Sequence, residues 1–229
     1  MNSISLNEGL DTIQTASAYF FSAQPLDSLG AVEYSLCSIV LDKSGSLQGY
    51  EKDLEKTLGE IVLACKKSPR ADNLMFRAVS FDTNVTEING FKLLGSINPN
   101  DYNNTIHCSS STALNDAVFT SVEATDTFGK TLTDQGYLTN GIAFIVTDGD
   151  DNASKYSTTQ IKKLLQTLAK NEHLESLTVV LIGVGDKNLM SRLDAFKNEV
   201  GITQFVEFGN ITAQKLAKLA NFVSKSISS

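Results

Sequence analysis

Asp42, Ser44 and Ser46 alternate with Lys43 and Gly45 in the pentapeptide DKSGS, directly after the apolar run Cys37, Ser38, Ile39, Val40, Leu41. A carboxylate and two hydroxyls thus stand where a buried strand should end. Gly45 is expected to let the backbone bend, so that the three oxygen-bearing side chains turn toward one point. All of the donors are hard oxygens, which suits a hard cation. Mg²⁺ takes near-octahedral oxygen coordination at about 2.0–2.1 Å and keeps several waters, so a few protein oxygens suffice to hold it.

Two later segments supply more oxygens. Ile142, Ala143, Phe144, Ile145 and Val146 form a second short apolar run, closed by Asp148 and a turn glycine in TDG. Between the two runs lies SSSTALNDAV at 109–118, a hydroxyl-rich loop that opens a helix at Thr112. If the runs are neighbouring parallel strands, their carboxyl ends bring Asp42 and Asp148 to one sheet edge, where open α/β folds place ligands.

With these residues in order, the chain resembles the von Willebrand factor A (VWA) family. The metal-ion-dependent adhesion site (MIDAS) of that family reads D-x-S-x-S, then Thr, then Asp before Gly. Asp42, Ser44, Ser46, Thr112 and Asp148 match it in type and sequence. The resemblance covers residues 33–225 by element order, although its specific part is these five positions and their strand contexts. It implies that Ser44 and Ser46 ligate a metal directly and that Thr112 joins them in the ligand-competent state. Asp42 and Asp148 are implied to act through water or from behind the ligands. The metal implied is Mg²⁺, with Mn²⁺ or Ca²⁺ as alternatives. Its open position would take a carboxylate from a partner protein, so the implied role is binding and not catalysis. By length and layout the nearest members are stand-alone bacterial ones, associated with tellurite resistance or acting beside AAA+ ATPases. That implies a bacterial stress-response or ATPase-associated setting.

The elements that would position this site follow from periodicity. Tyr34–Leu41 reads as a strand. Tyr50, Leu54, Leu58, Ile61, Val62 and Cys65 keep helical spacing until Ser68 and Pro69 stop it. Leu74–Phe81 and Val85–Ile88, joined through Asp82, Thr83 and Asn84, read as an edge hairpin. Residues 90–111 look irregular. Leu114, Ala117, Val118 and Val122 fit a helix, and the polar stretch 126–140 looks like a surface loop. Ile161, Leu164, Leu165 and Leu168 mark a helix, and the nearly all-apolar Leu177–Val184 a central parallel strand. Leu189, Leu193, Phe196 and Val200 fit another helix, Gln204–Phe208 a last strand, and Ile211, Leu216, Leu219, Val223 and Ile227 a closing helix. The expected fold is α/β, a single doubly wound and mostly parallel sheet with one antiparallel edge strand and helices on both faces. Residues 31–229 are expected to form the VWA domain. Residues 1–30 are expected to be an N-terminal extension packed on it, with Ile13, Ala16, Tyr19 and Phe20 sharing one face of a short helix. Residues 83–111, 126–140 and 149–158 are expected to rim the metal edge.

Composition narrows the function classes. At 229 residues and 41% apolar content the chain fits one α/β domain with a sizeable core. Nineteen basic against 26 acidic side chains give 19 − 26 = −7 with no basic run beyond a pair, which disfavours nucleic acid. Cys37, Cys65 and Cys108 are odd in number and lack C-x-x-C spacing, and Cys37 in an apolar strand and Cys65 on an apolar helix face read as core residues, which points to a reducing compartment. No apolar stretch approaches the roughly 20 residues that span a bilayer. The first residues lack a basic leader segment and carry Glu8 and Asp11. The expectation is a cytoplasmic protein that binds neither membrane nor nucleic acid.

Other residues invite chemistry less strongly. DGDDN at 148–152 gathers Asp148, Asp150 and Asp151 and is expected to be a solvated acidic loop. Lys43 is expected to point into solvent. Asp116, one turn after Thr112, is expected to cap the helix or to support the ligands. His107 and His173 lack a partner at zinc-ligand spacing, although His107 could tune binding from the rim. No phosphate-binding glycine motif occurs. The alternatives to a binder are a Mg²⁺-dependent phosphohydrolase with Asp42 as nucleophile, or a scaffold with a vestigial site. The enzyme reading is weakened because the general acid of haloacid-dehalogenase-like sites, two residues after the nucleophile, is here Ser44.

Overall fold

In a computed structural model the described residues are 6–171, 173–209 and 213–228. Their elements run in the order β1 (Asp11–Gln14), β2 (Phe20–Ala23), β3 (Glu33–Asp42), α1 (Glu51–Cys65), β4 (Leu74–Phe81), β5 (Val85–Leu93), α2 (Leu114–Asp134), β6 (Leu138–Thr147), α3 (Thr158–Asn171), β7 (Ser176–Gly183), α4 (Lys187–Val200), β8 (Gln204–Glu207) and α5 (Ala213–Ser228). One sheet holds the strands in the order β1-β2-β5-β4-β3-β6-β7-β8. From β4 to β8 every pairing is parallel, and β5 lies antiparallel on β4. This is the expected doubly wound α/β sheet. Among the described residues no helix is long and apolar enough to cross a membrane.

Strand β3 is the axis of the molecule. It is buried from Leu36 to Asp42 because helices cover both faces, which is why its sequence reads as a continuous apolar run and not an alternating one. Cys37, Ile39 and Leu41 face α1 and α5, whereas Val40 faces α2, α3 and α4. The pairing of β3 with β6 runs in register from Glu33↔Leu138 to Leu41↔Val146. Two strands in register end together, so Asp42 and Asp148 arrive at the same edge.

The N-terminal segment corrects an expectation. Residues 13–20 form no helix: β1 and β2 make an antiparallel hairpin, closed by Ala18 at φ 65° and by the Thr15 N–H on the Tyr19 carbonyl at 2.8 Å. Phe21 and Ala23 are buried while Phe20 is 58% exposed, a period of two that the aromatic pair Tyr19 and Phe20 hides in the sequence. The hairpin extends the sheet beyond β5, and a buried charge fastens it there. Arg77 on β4 is fully buried, with Nε donating to Glu87 Oε2 at 2.7 Å and Nη2 to the Tyr19 hydroxyl at 2.8 Å. Its guanidinium also lies 5.7–5.8 Å from the ring centres of Tyr19, Phe21 and Phe91. The other Glu87 oxygen accepts the Ser22 N–H at 2.9 Å.

Two connections also differ from expectation. The stretch 126–140 is not a surface loop, because the apolar stripe of α2 continues through Phe128 and Leu132 and carries the helix to Asp134. Its turn at 135–137 lies at the amino ends of the strands, the side opposite Asp42. Strand β5 runs on to Leu93, and because it is antiparallel it carries the chain away from that edge; of the stretch 83–111 the turn after β4 and the return of the chain at 106–111 lie there. In the closing helix, Leu219, Val223 and Ile227 are buried as its spacing predicts, and Ile211 lies outside the described residues.

Candidate metal centre

Three loops meet at the carboxyl end of the sheet. Residues 42–46 leave β3, residues 109–112 lead into α2, and residues 148–152 leave β6. Backbone bonds stitch the first two: the Gly45 N–H donates to the Ser110 carbonyl at 3.0 Å and the Ser109 N–H to the Lys43 carbonyl at 2.9 Å. A Cβ on Gly45 would stand 3.3 Å from the Ser110 carbonyl oxygen. Gly45 is not among the residues at positive φ, so its small size serves this close approach and not the bend expected of it.

Side chains join the first loop to the third. The Ser46 hydroxyl donates to Asp148 Oδ1 at 2.9 Å across 102 residues of sequence, and Ser44 Oγ lies 3.1 Å from Ser46 Oγ. Asp42 and Ser44 are 1% and 2% exposed, whereas Ser46 is exposed, so the cluster reaches solvent through Ser46. Thr112 is buried, and its Oγ1 lies 3.3 Å from where a Cβ on Gly149 would stand. Any residue larger than glycine there would crowd that hydroxyl. The sequence-predicted residues are therefore brought to one place: Ser44, Ser46 and Asp148 by direct bonds, Asp42 behind them, and Thr112 against the Asp148–Gly149 turn.

The two carboxylates play different parts. Asp42 Oδ1 accepts the Ser44 N–H at 2.8 Å and Oδ2 the Thr147 hydroxyl at 2.6 Å, so both of its oxygens are occupied by the protein. Burial pushes its carboxyl up from the ordinary value while those bonds pull it back. Asp148 is pushed up to about 6, first by burial and then by the charge of Asp42, with the Ser46 bond opposing. Two acids are thus held together against their own repulsion. Among the described residues neither has a basic partner within ion-pair distance.

The donor set fits a hard divalent cation. It comprises two carboxylates of total charge −2 and three hydroxyls and contains no nitrogen or sulfur. Among the described residues no group of three or more His, Cys, Asp or Glu side chains is placed to hold a metal ion, so a site of the usual zinc composition is not found there. Ser44, Ser46 and Thr112 would offer the neutral oxygens and Asp148 a charged one, with Asp42 fixing the loop from behind.

Sequence reasoning missed two supporting residues. Thr147 orients Asp42, and its Oγ1 also accepts the Gly149 N–H at 3.2 Å. Asp82, at the end of β4, accepts from Lys43 Nζ at 3.2 Å, the Ser109 hydroxyl at 3.0 Å and the Asn84 N–H at 2.9 Å. Burial would raise its carboxyl, but these donors hold it below its ordinary value. Lys43 is consequently not free in solvent: its side chain is 16% exposed and turned away from the ligands toward Asp82. The signal was available, since Asp82 stands at the carboxyl end of a strand parallel to β3, as Asp42 and Asp148 do. His107 is exposed on the loop before Ser109.

Searched by sequence, the chain matches no protein-family profile and no curated protein. Solved structures do resemble it. The PilB minor pilin of Streptococcus sanguinis superposes with a TM-score of 0.60 at 14% identity, covering 90% of this chain and 64% of the pilin. Proximal thread matrix protein 1 of the mussel byssus, solved with a zinc-occupied MIDAS motif, gives 0.53 at 17% identity, covering 86% of this chain and 46% of that one. The VWA domain of Rpn10 gives 0.53 at 13% identity over 84% of this chain and 95% of that domain. The chain thus spans about two thirds or less of the pilin and the byssus protein and nearly all of the Rpn10 domain. At these identities the likeness concerns architecture, and by architecture this chain has the VWA fold.

Proposed function

We propose that this chain is a metal-dependent protein-interaction module whose Asp42, Ser44, Ser46, Thr112 and Asp148 form an intact MIDAS. The observation that carries the reading is the Ser44–Ser46–Asp148 chain of contacts at 3.1 and 2.9 Å, which gathers hard oxygens from two distant loops. Mg²⁺ is the ion proposed, with Mn²⁺ or Ca²⁺ able to substitute. It would be held by Ser44, Ser46 and Thr112, and it would offer a vacant position to a Glu or Asp of a partner protein. When bound, the ion supplies the positive charge that a partner carboxylate needs at this acidic edge. In support, one neighbour of the same fold holds a divalent metal in its own MIDAS motif.

In this reading the chain binds and does not turn over a substrate. A nucleophilic Asp42 finds no support, since both its oxygens are taken by Ser44 and Thr147 and its side chain is 1% exposed. The resemblance to stand-alone bacterial VWA proteins suggests a cytoplasmic stress-response or AAA+ ATPase-associated complex as the setting. Calorimetric titration with Mg²⁺ and Mn²⁺ tests the site: heat in the wild type that is lost in Ser44→Ala supports it, and equal heat in both overturns it. Pull-down from the native source with and without EDTA then tests the partner. Interactors released by chelation are expected, and a set unchanged by EDTA would contradict metal-dependent binding.

A further inference from the structure

Helix α2 begins without a cap of its own. Its N-cap position is Ala113, which has no side-chain acceptor, although the first N–H groups of any helix need one. The loop after Asp148 supplies them. Asp151 Oδ1 accepts the Asn115 N–H at 3.1 Å and Ser154 Oγ the Asp116 N–H at 3.0 Å, and Ser154 in turn donates to Asp151. The helix answers in kind. Asp116 Oδ1 accepts the N–H groups of Lys155 and Tyr156, both at 2.8 Å, and Asn115 Nδ2 donates to the Tyr156 carbonyl at 3.1 Å. Tyr156 stacks on Phe119 with ring centres 3.9 Å apart. Residues 151–156 thus form a strap across the start of α2, whereas Asp150 in the same acidic stretch stays exposed, as its sequence suggests.

The strap grips Thr112 most closely. Asn152 Oδ1 accepts the Thr112 N–H at 2.8 Å, and the Asn152 N–H donates to the Thr112 carbonyl at 2.9 Å. One residue therefore holds both backbone polar groups of Thr112. Asn152 lies four residues after Asp148, so Thr112 and Asp148 are tied into a single unit.

We propose that Asn152 is a positioning residue for Thr112: through the strap it sets the Thr112 hydroxyl against the Asp148 turn and so fixes the metal affinity of the site. This rests on the reading of the cluster as a metal centre. Partners that support a ligand from behind typically change metal affinity 10–100-fold when removed. Asn152→Ala is therefore expected to weaken Mn²⁺ binding on the order of tenfold. Asn152→Asp, which keeps the acceptor oxygen, should restore binding. In a Thr112→Ala background the Asn152→Ala change should add little, because the group it positions is already gone.

Mn²⁺ titration of wild type, Asn152→Ala, Asn152→Asp, Thr112→Ala and the double variant provides the test, together with hydrogen exchange of the metal-free proteins. Loss of protection at the Thr112 and Asn115 amides in Asn152→Ala, with β3 unchanged, supports the strap. Unchanged protection there overturns it whatever the metal data show. Equal affinity in wild type and Asn152→Ala, or full additivity with Thr112→Ala, also overturns the inference while leaving the metal centre standing. If the wild type binds no Mn²⁺, the metal reading falls, and with it the claim that Asn152 sets an affinity. Should Asn152→Ala fail to fold, Ser154→Ala removes a different strap bond and is read in the same way at the Asp116 amide.

Discussion

Replacing Asp148 by Asn should stabilise the metal-free protein while abolishing its response to Mg²⁺. The carboxyl of Asp148 is held at about 6 against an ordinary 3.8, by burial and by Asp42 beside it. A displacement of about two pH units corresponds to an upper bound of about 3 kcal/mol at neutral pH. The group is only half-buried, so solvent screening reduces the expected gain to about 1 kcal/mol. The sign follows from proton linkage. Because the folded state holds this proton more tightly than the unfolded chain, stability is lost as pH rises through about 4 to 6, and the penalty is full above 6. Urea denaturation in EDTA at pH 7 should therefore show Asp148→Asn to be more stable than wild type, with the difference gone near pH 4. Added Mg²⁺ at about 100 times its Kd should raise wild-type stability by about 2.7 kcal/mol and leave the variant unmoved, reversing their order. An Asn variant that is less stable than wild type in EDTA at pH 7 would refute the view that the acid pair is strained.

Four further outcomes follow from the same geometry. Mg²⁺ affinity should fall about tenfold between pH 7 and pH 5, because protons compete for Asp148 below about 6; a flat calorimetric profile would count against Asp148 as a charge that helps to hold the ion. Gly149→Ala should weaken metal binding more than it lowers the thermal midpoint, since its Cβ would stand 3.3 Å from Thr112 Oγ1. Arg77→Met should lower stability by about 3 kcal/mol in chemical denaturation, because it leaves the Glu87 carboxylate, only 11% exposed, without its guanidinium. Asp82→Ala should release Lys43 and Ser109 together, visible as faster exchange of the Ser109 amide, and a protected amide would show that the backbone bonds alone hold that loop.

The parallel core and the five candidate ligands were legible because each sits in a pattern set by burial. Runs such as Ile39–Leu41 and Ala143–Val146 are apolar on both faces only because helices cover both, and the first polar residue after each marks the edge where the chain leaves the sheet. The Asp42–Asp148 proximity follows from that rule and from parallel register. What stayed hidden depends on partners distant in sequence. The β1–β2 hairpin shows too few residues for a period to emerge, and it is held by Arg77, whose role is invisible until Tyr19 and Glu87 are placed around it. Residues 126–134 look polar because α2 exposes one face there, while Phe128 and Leu132 continue the buried stripe at spacings of three to four. Asp151 and Asn152 look like solvated acid and amide, since nothing local reveals that Ala113 leaves the next helix uncapped.

The most direct test of the proposed metal centre is anomalous diffraction from crystals grown with Mn²⁺. A single strong peak is expected at bonding distance, about 2.0–2.3 Å, from both Ser44 Oγ and Ser46 Oγ, with Thr112 or Asp148 beside it. A peak elsewhere, or no peak at this edge at saturating Mn²⁺, would contradict it.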